Sequence, residues 1–176
     1  TCMPDAEASL RAEEYLQQCM QETDSAGGVV ECVITGCRPG LGEPVFDKLN
    51  ACLAKAIMSI GGVKAREMGD GFKVSTAKGS ENNDSFYSSG SKIEKATNHS
   101  GGFLGGISDG SPIILRAHFK PTPSIFTEQE TVNKNMENIQ VNIKGRHDPV
   151  IVPRAVVVVE TMAAVTILDA LYDNMH

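Results

Sequence analysis

The stretch from Asn98 to His147 constrains this chain more than any other. It opens Asn98-His99-Ser100-Gly101-Gly102-Phe103-Leu104-Gly105-Gly106-Ile107-Ser108-Asp109-Gly110. It runs through an apolar strand into Lys120-Pro121-Thr122-Pro123-Ser124 and closes on Lys144-Gly145-Arg146-His147-Asp148-Pro149. Two glycine pairs and a fifth glycine within one short run exceed what a single turn needs. Glycine lets backbone approach a bound group closely, because no Cβ intervenes. The cations and hydroxyls of the two later segments suit an anionic ligand. The expectation is a cofactor and phosphate site built on loops between strands.

The flanking sequence supplies the scaffold. Pro4–Glu22 reads as a helix, with Pro4 and Asp5 suited to its first turn. Gly28–Thr35 is β-rich and reads as a strand buried on both faces. Gly36–Pro44 is a structured loop. Val45–Ile60 predicts a second helix with the stripe Phe46, Leu49, Leu53, Ala56 and Ile57, ended by Gly61-Gly62. Val63–Met68 and Phe72–Thr76 predict a hairpin around Gly69-Asp70-Gly71. The polar run Ala77–Thr97 reads as a long mobile loop or flap. Ser111–Phe119 is a strand that the prolines 121 and 123 end, because neither can donate to a ladder. Ile139, Val141 and Ile143 alternate with polar residues as a half-buried strand. Pro153–Met175 is the longest helix, with Val156, Val159, Met162, Ala163, Ile167, Ala170 and Leu171 toward the core. Hairpins with helices over one face give the α+β class, an antiparallel sheet covered by helices, in one domain over residues 1–176.

Composition narrows the partners. A net charge of −6 argues against a general nucleic-acid binder but leaves room for a phosphate held by local cations. Five cysteines with no CxxC pair favour reduced thiols and a cytoplasmic setting. The longest apolar run is Val156–Val159, and Glu160 and Asp169 follow it, so no membrane span is expected. No His/Cys spacing suits zinc, and there is no P-loop. His99 and His118 read as hydrogen-bonding residues rather than catalysts.

Read on their own, the two later segments stay open. Asp148 could cap the coming helix, pair with Arg146, orient His147 or accept a proton. Lys120–Ser124 could be a plain strand-ending turn.

These motifs together resemble chorismate synthase. The glycine run, Lys-Pro-Thr-Pro-Ser-Ile and Gly-Arg-His-Asp-Pro occur in the family's order. So do Gly27-Gly28-Val29-Val30-Glu31-Cys32 and Gly40-Leu41-Gly42-Glu43-Pro44-Val45-Phe46-Asp47-Lys48-Leu49. The likeness covers the C-terminal half of the family chain. It lacks the half that carries two acid histidines and a serine/arginine-rich flavin loop, so this chain is expected to be a fragment, as its start at Thr1 agrees.

The resemblance implies a lyase that uses reduced FMN to convert 5-enolpyruvylshikimate 3-phosphate to chorismate, the last step of the shikimate pathway. Some members of the family reduce that flavin with NADPH. It implies a homotetramer with no nucleic-acid or membrane partner. It implies that Arg146 contacts the flavin, and that Lys120, Pro121, Thr122, Pro123 and Ser124 bind it. Gly105 corresponds to a further flavin contact. Gly61 and Gly62 match a contact from a neighbouring subunit, although the family often has Pro-Ala or Asn-Ala there. Asp148 matches the residue thought to accept a proton near flavin N5. The implied fold is one half of a β-α-β sandwich. The alternative is a non-catalytic flavin-binding, phosphate-binding or assembly module.

Overall fold

The computed structural model describes residues 1–145 and 148–175. The chain packs as two compact units, Thr1–Gly28 with Phe119–Ala155, and Val29–His118 with Val156–His176.

The larger unit is built on a three-stranded sheet of order β1-β7-β2, with β1 at Gly28–Ile34, β2 at Val63–Met68 and β7 at Ile113–Phe119. The central strand β7 alternates cleanly. Ile113, Leu115 and Ala117 are buried, while Ile114, Arg116 and His118 face the other way and are half-buried. Period-two alternation of this kind fixes register, because a one-residue slip would turn every apolar side chain outward. Helix α2 (Leu49–Met58) packs against β2 and buries Leu49, Leu53 and Ile57. From helix α4 (Val152–Asp173), Val159 and Ala163 join the same aliphatic core, with Leu41 and Phe103.

Two hairpins complete this unit. Strands β3 (Phe86–Ser89) and β4 (Lys92–Lys95) pair antiparallel, as do β5 (Phe103–Leu104) and β6 (Ile107–Ser108). The smaller unit holds α1 (Ala6–Gln21), the loop after β7, and the antiparallel hairpin of β8 (Gln129–Val132) and β9 (Asn138–Val141). Asp5 caps α1 by accepting from the Ala8 amide at 2.8 Å. These antiparallel ribbons and helices make the chain α+β, in line with the expected class.

Several local readings are corrected. The strand at 28–34 is buried on one face only, since Val29 and Val33 are exposed. The second helix begins at Leu49 rather than Val45, and Phe46 is 87% exposed instead of joining the stripe. The loop before it folds back on the helix N-terminus, where Glu43 N–H bonds the Asp47 carbonyl and a Cβ at Gly42 would strike Leu49. Phe72–Thr76 is not a strand: Gly71–Ser75 forms a 3₁₀ turn. Glu67 accepts from the Phe72 amide at 3.0 Å and tightens the chain there, and β2 pairs with β7 instead.

Residues 77–97, read as a loop or flap, carry a short helix α3 (Gly79–Asn82) and the β3–β4 hairpin. On β9 only Val141 is half-buried, and Ile139 is exposed. By length and composition alone α4 could cross a membrane, but Val159 and Ala163 are packed inside the larger unit.

Candidate functional site

The stretch that organises the sequence is divided between the two units: residues 98–118 belong to the larger one and 119–147 to the smaller.

In the smaller unit the loop after β7 is anchored from beneath. Ser25 Oγ donates to the Thr122 carbonyl at 2.7 Å, and Gln129 Nε2 donates to the Pro123 carbonyl at 3.2 Å. A Cβ on Gly27 would stand 2.5 Å from the Phe119 carbonyl, so only glycine lets residues 25–28 run this close to Lys120–Ser124. Lys120 and both prolines are exposed, and Lys120 makes no ion pair among the described residues. The Thr122 hydroxyl is buried and has no hydrogen-bond partner among the described residues. Leaving such a group unpaired costs about 1–3 kcal/mol, which marks the position as one waiting for an acceptor or donor.

Ser124 and Asp148 come together around one small cavity of about 110 Å³, lined also by Met20, Thr23, Asp24, Ser25 and Phe126. Pro149 fixes the neighbouring chain by accepting from the Ala26 amide at 2.8 Å. Among the described residues the Asp148 side chain is bound by a cation and makes no cap of α4. Arg154, in the first turn of α4, grips it with Nη1 on Oδ2 at 2.8 Å and Nη2 on Oδ1 at 3.3 Å. Arg146 and His147 lie outside the described residues. Sequence reasoning missed Thr23, Asp24 and Ser25, which read only as a turn after α1, and it missed Arg154. One signal for Arg154 was available: a cation in a helix's first turn opposes the macrodipole and so asks for a reason.

In the larger unit the glycine loop is held by a buried charge cluster. Lys95 Nζ donates to Asp109 Oδ2 at 2.7 Å, Asp84 Oδ2 at 3.3 Å and Ser100 Oγ at 3.0 Å. The three charged side chains are only 6%, 9% and 7% exposed for Lys95, Asp84 and Asp109. Asp84 also accepts from Thr97 Oγ1, the His99 amide and both Ser100 donors. Burial alone pushes the Asp84 carboxyl up. The Ser100, Thr97 and His99 hydrogen bonds outweigh it and hold the group well below the usual carboxylate range. Burial likewise opposes, and the Lys95 and Ser111 bonds more than reverse, the shift of Asp109, which also lies low.

The glycines of this loop have different duties. Gly69 and Gly101 lie where two backbones cross, and a Cβ on either would strike the other loop. Gly105, at the tip of β5–β6, has φ +61° and open space where a Cβ would be. Gly62, after α2, has φ +88°, while the Gly61 Cβ direction is open. Gly61, Gly62 and Gly105 thus share the larger unit, and Lys120–Ser124 shares the smaller with Asp148. His99 pairs with Asp70 at 2.6 Å and His118 meets Glu67 at 3.3 Å, as hydrogen-bonding residues.

The family model for chorismate synthase matches residues 1–172. A chorismate synthase from Lachnoclostridium phytofermentans is 65% identical over 175 residues, covering 99% of this chain and 48% of that protein. One from Methanocaldococcus jannaschii is 53% identical over 159 residues, covering 89% and 42%. A solved crystal structure of a chorismate synthase superposes with a TM-score of 0.79 at 30% identity, covering 98% of this chain and 45% of that one. The chain spans about half the length of the curated relatives it matches.

Proposed function

Since this chain belongs to the chorismate synthase family, we propose that it supplies half of an enzyme converting 5-enolpyruvylshikimate 3-phosphate to chorismate and phosphate with reduced FMN. The reaction breaks the C3–O bond to phosphate and a C6–H bond, and forms a new ring double bond. When bound, the reduced flavin lends electron density to the departing phosphate, with no net redox change.

The observation that carries the proposal is the junction of Ser124 and Asp148 around one cavity, in the same loop segment as the unpartnered Thr122 hydroxyl. The donor set fits part of the cofactor. Thr122 and Ser124 offer hydroxyls, and Lys120 an unpaired cation for an anionic group. Pro121 and Pro123 limit the loop's freedom and so lower the cost of ordering it on binding. Cofactor pockets generally run to about 300 Å³ or more, so this cavity can take only an edge of the flavin. As the resemblance implies, Gly105 and Arg146 are assigned further flavin contacts, and Gly61 and Gly62 a contact made to the flavin of a neighbouring subunit; the Cβ directions of Gly61 and Gly105 are open. Asp148 takes up a proton on its carboxylate.

The two histidine acids belong to the half of the family chain that these residues do not cover. This polypeptide alone is therefore assigned no turnover. Family likeness also supports a cytoplasmic homotetramer. The test is flavin titration of the full-length protein and of its Asp148→Asn and Ser124→Ala variants. The proposal requires S124A to weaken FMN binding and D148N to bind FMN but stop turnover. Unchanged binding and turnover in both would remove the site from these residues.

A non-catalytic binding or assembly module is favoured by one observation, the exposed apolar flank of α4 at Val157, Val158, Val165 and Leu168. On that reading flavin binds without consumption of substrate.

A further inference from the structure

The geometry points to Arg154 as the positioning residue of Asp148, an inference that rests on the reading of Asp148 as the proton acceptor. Asp148 follows the hairpin of β8 and β9, and the chain then turns through Pro149 into α4. Arg154 stands in the first turn of that helix, its amide bonded to the Ile151 carbonyl at 3.0 Å. Its guanidinium meets both oxygens of one carboxylate, at 2.8 and 3.3 Å. A fork-on-fork contact fixes the plane of the carboxylate, which a lysine at the same place could not do.

Stability does not account for this pair. The Arg154 side chain is 76% exposed, so the contact adds little to stability. The cation also sits at the end of the helix where the macrodipole repels it. Neither packing nor helix stability accounts for an arginine here, whereas the orientation of Asp148 does. The other described ionisable group lining the cavity is Asp24, whose carboxylate accepts from the Ser25 amide at 2.7 Å. Arg154 is therefore the described counter-charge to Asp148, which lines the cavity together with Ser124.

The consequence is functional. A proton acceptor held in one plane presents the same lone pair at each turnover, and a displacement of about 1 Å from such a position can cost about 100-fold in rate. Removing Arg154 should thus lower kcat, leave KM and the melting temperature nearly as they were, and be reversible by a small cation that refills the gap.

The experiment uses the full-length protein with Arg154→Ala, Arg154→Lys and Asp148→Asn, in steady-state turnover and by ¹³C NMR of the Asp148 carboxyl carbon. The expected result is a kcat about 10- to 100-fold lower in R154A. Guanidinium at non-denaturing concentration should restore it, and R154K should fall between. The carboxyl resonance should move in R154A and return with guanidinium, a readout that needs no turnover. In a D148N background R154A should add nothing. Parental kcat in R154A, beside an inactive D148N, would overturn the inference while leaving the role of Asp148 intact. A fully active D148N would remove both. Should R154A unfold, R154K decides: parental kcat there also overturns it.

Discussion

Thr122 carries the most informative single atom in the chain. Its hydroxyl is buried and has no partner among the described residues, while the Thr122 and Pro123 carbonyls of the same loop are satisfied. Replacing it with valine keeps the shape and removes the unpaired group. Thr122→Val is therefore expected to stabilise the protein, by about 1 kcal/mol or more, while weakening flavin binding. Denaturant unfolding and an FMN titration of the same variant check both halves of that statement.

Asp84 and Asp109 give a second residue-scale prediction. Both carboxyls lie below their ordinary values in the folded chain. Their stabilisation is complete above the ordinary carboxylate value near pH 4, and it is lost as pH falls through the depressed folded values. Below about pH 4 the unfolded chain binds more protons, so unfolding becomes easier. Unfolding free energy measured against pH should fall steeply there, and Asp84→Asn should flatten that fall.

At this scale the sequence offered candidate residues but not their partners. Asp148 was singled out through its motif. Its clamp by Arg154 was not, because the pair is made by a turn whose path no propensity specifies.

Among the elements, the β3–β4 hairpin depends on one cation. Lys95 lies between two buried carboxylates and reaches Ser100 of the glycine loop. Lys95→Met would leave both carboxylates buried without their counter-charge, and a loss of about 3–5 kcal/mol is expected. Hydrogen exchange should show that loss first in the hairpin and in residues 98–102. The neighbouring glycines can be told apart in the same way. Gly101→Ala drives a Cβ into the backbone of Gly69 and should prevent the loop from closing. Gly105→Ala meets open space and pays only for its positive φ, about 1–2 kcal/mol. Melting temperatures of the two variants should therefore differ clearly.

Element identity was readable where a periodic signal was strong. The alternation in β7 and the apolar stripe of α2 from Leu49 onward are both seen. It failed where a side chain overrode propensity. Glu67 bonding the Phe72 amide turns a β-rich run into a 3₁₀ turn, and Gly42 folding onto Leu49 delays a helix. The polar run 77–97 concealed a hairpin because its strands are nearly all exposed and so carry no apolar alternation.

The chain spans about half the length of the curated relatives it matches, and its longest helix leaves apolar surface open. Of the four consecutive valines in α4 only Val159 is buried; Val157 and Val158 face outward with Val165 and Leu168. β-Branched residues are modest helix formers, so an exposed row of them is unfavourable both as helix and as surface. That exposed row is one flank of α4 on which no described residue packs closely enough to bury it. The sequence placed this chain in its family through the order of five motifs, whereas the division into two units had no linker or composition shift to reveal it.

The central claim is that these residues form half of a chorismate-forming site. It is tested most directly by supplying substrate and reduced FMN to this chain alone, and to its purified complex with the complementary half of the family fold. The account predicts equal amounts of chorismate and phosphate from the complex and none from the chain alone. Turnover by the isolated chain, or a stable, flavin-loaded complex that makes no chorismate, would contradict it.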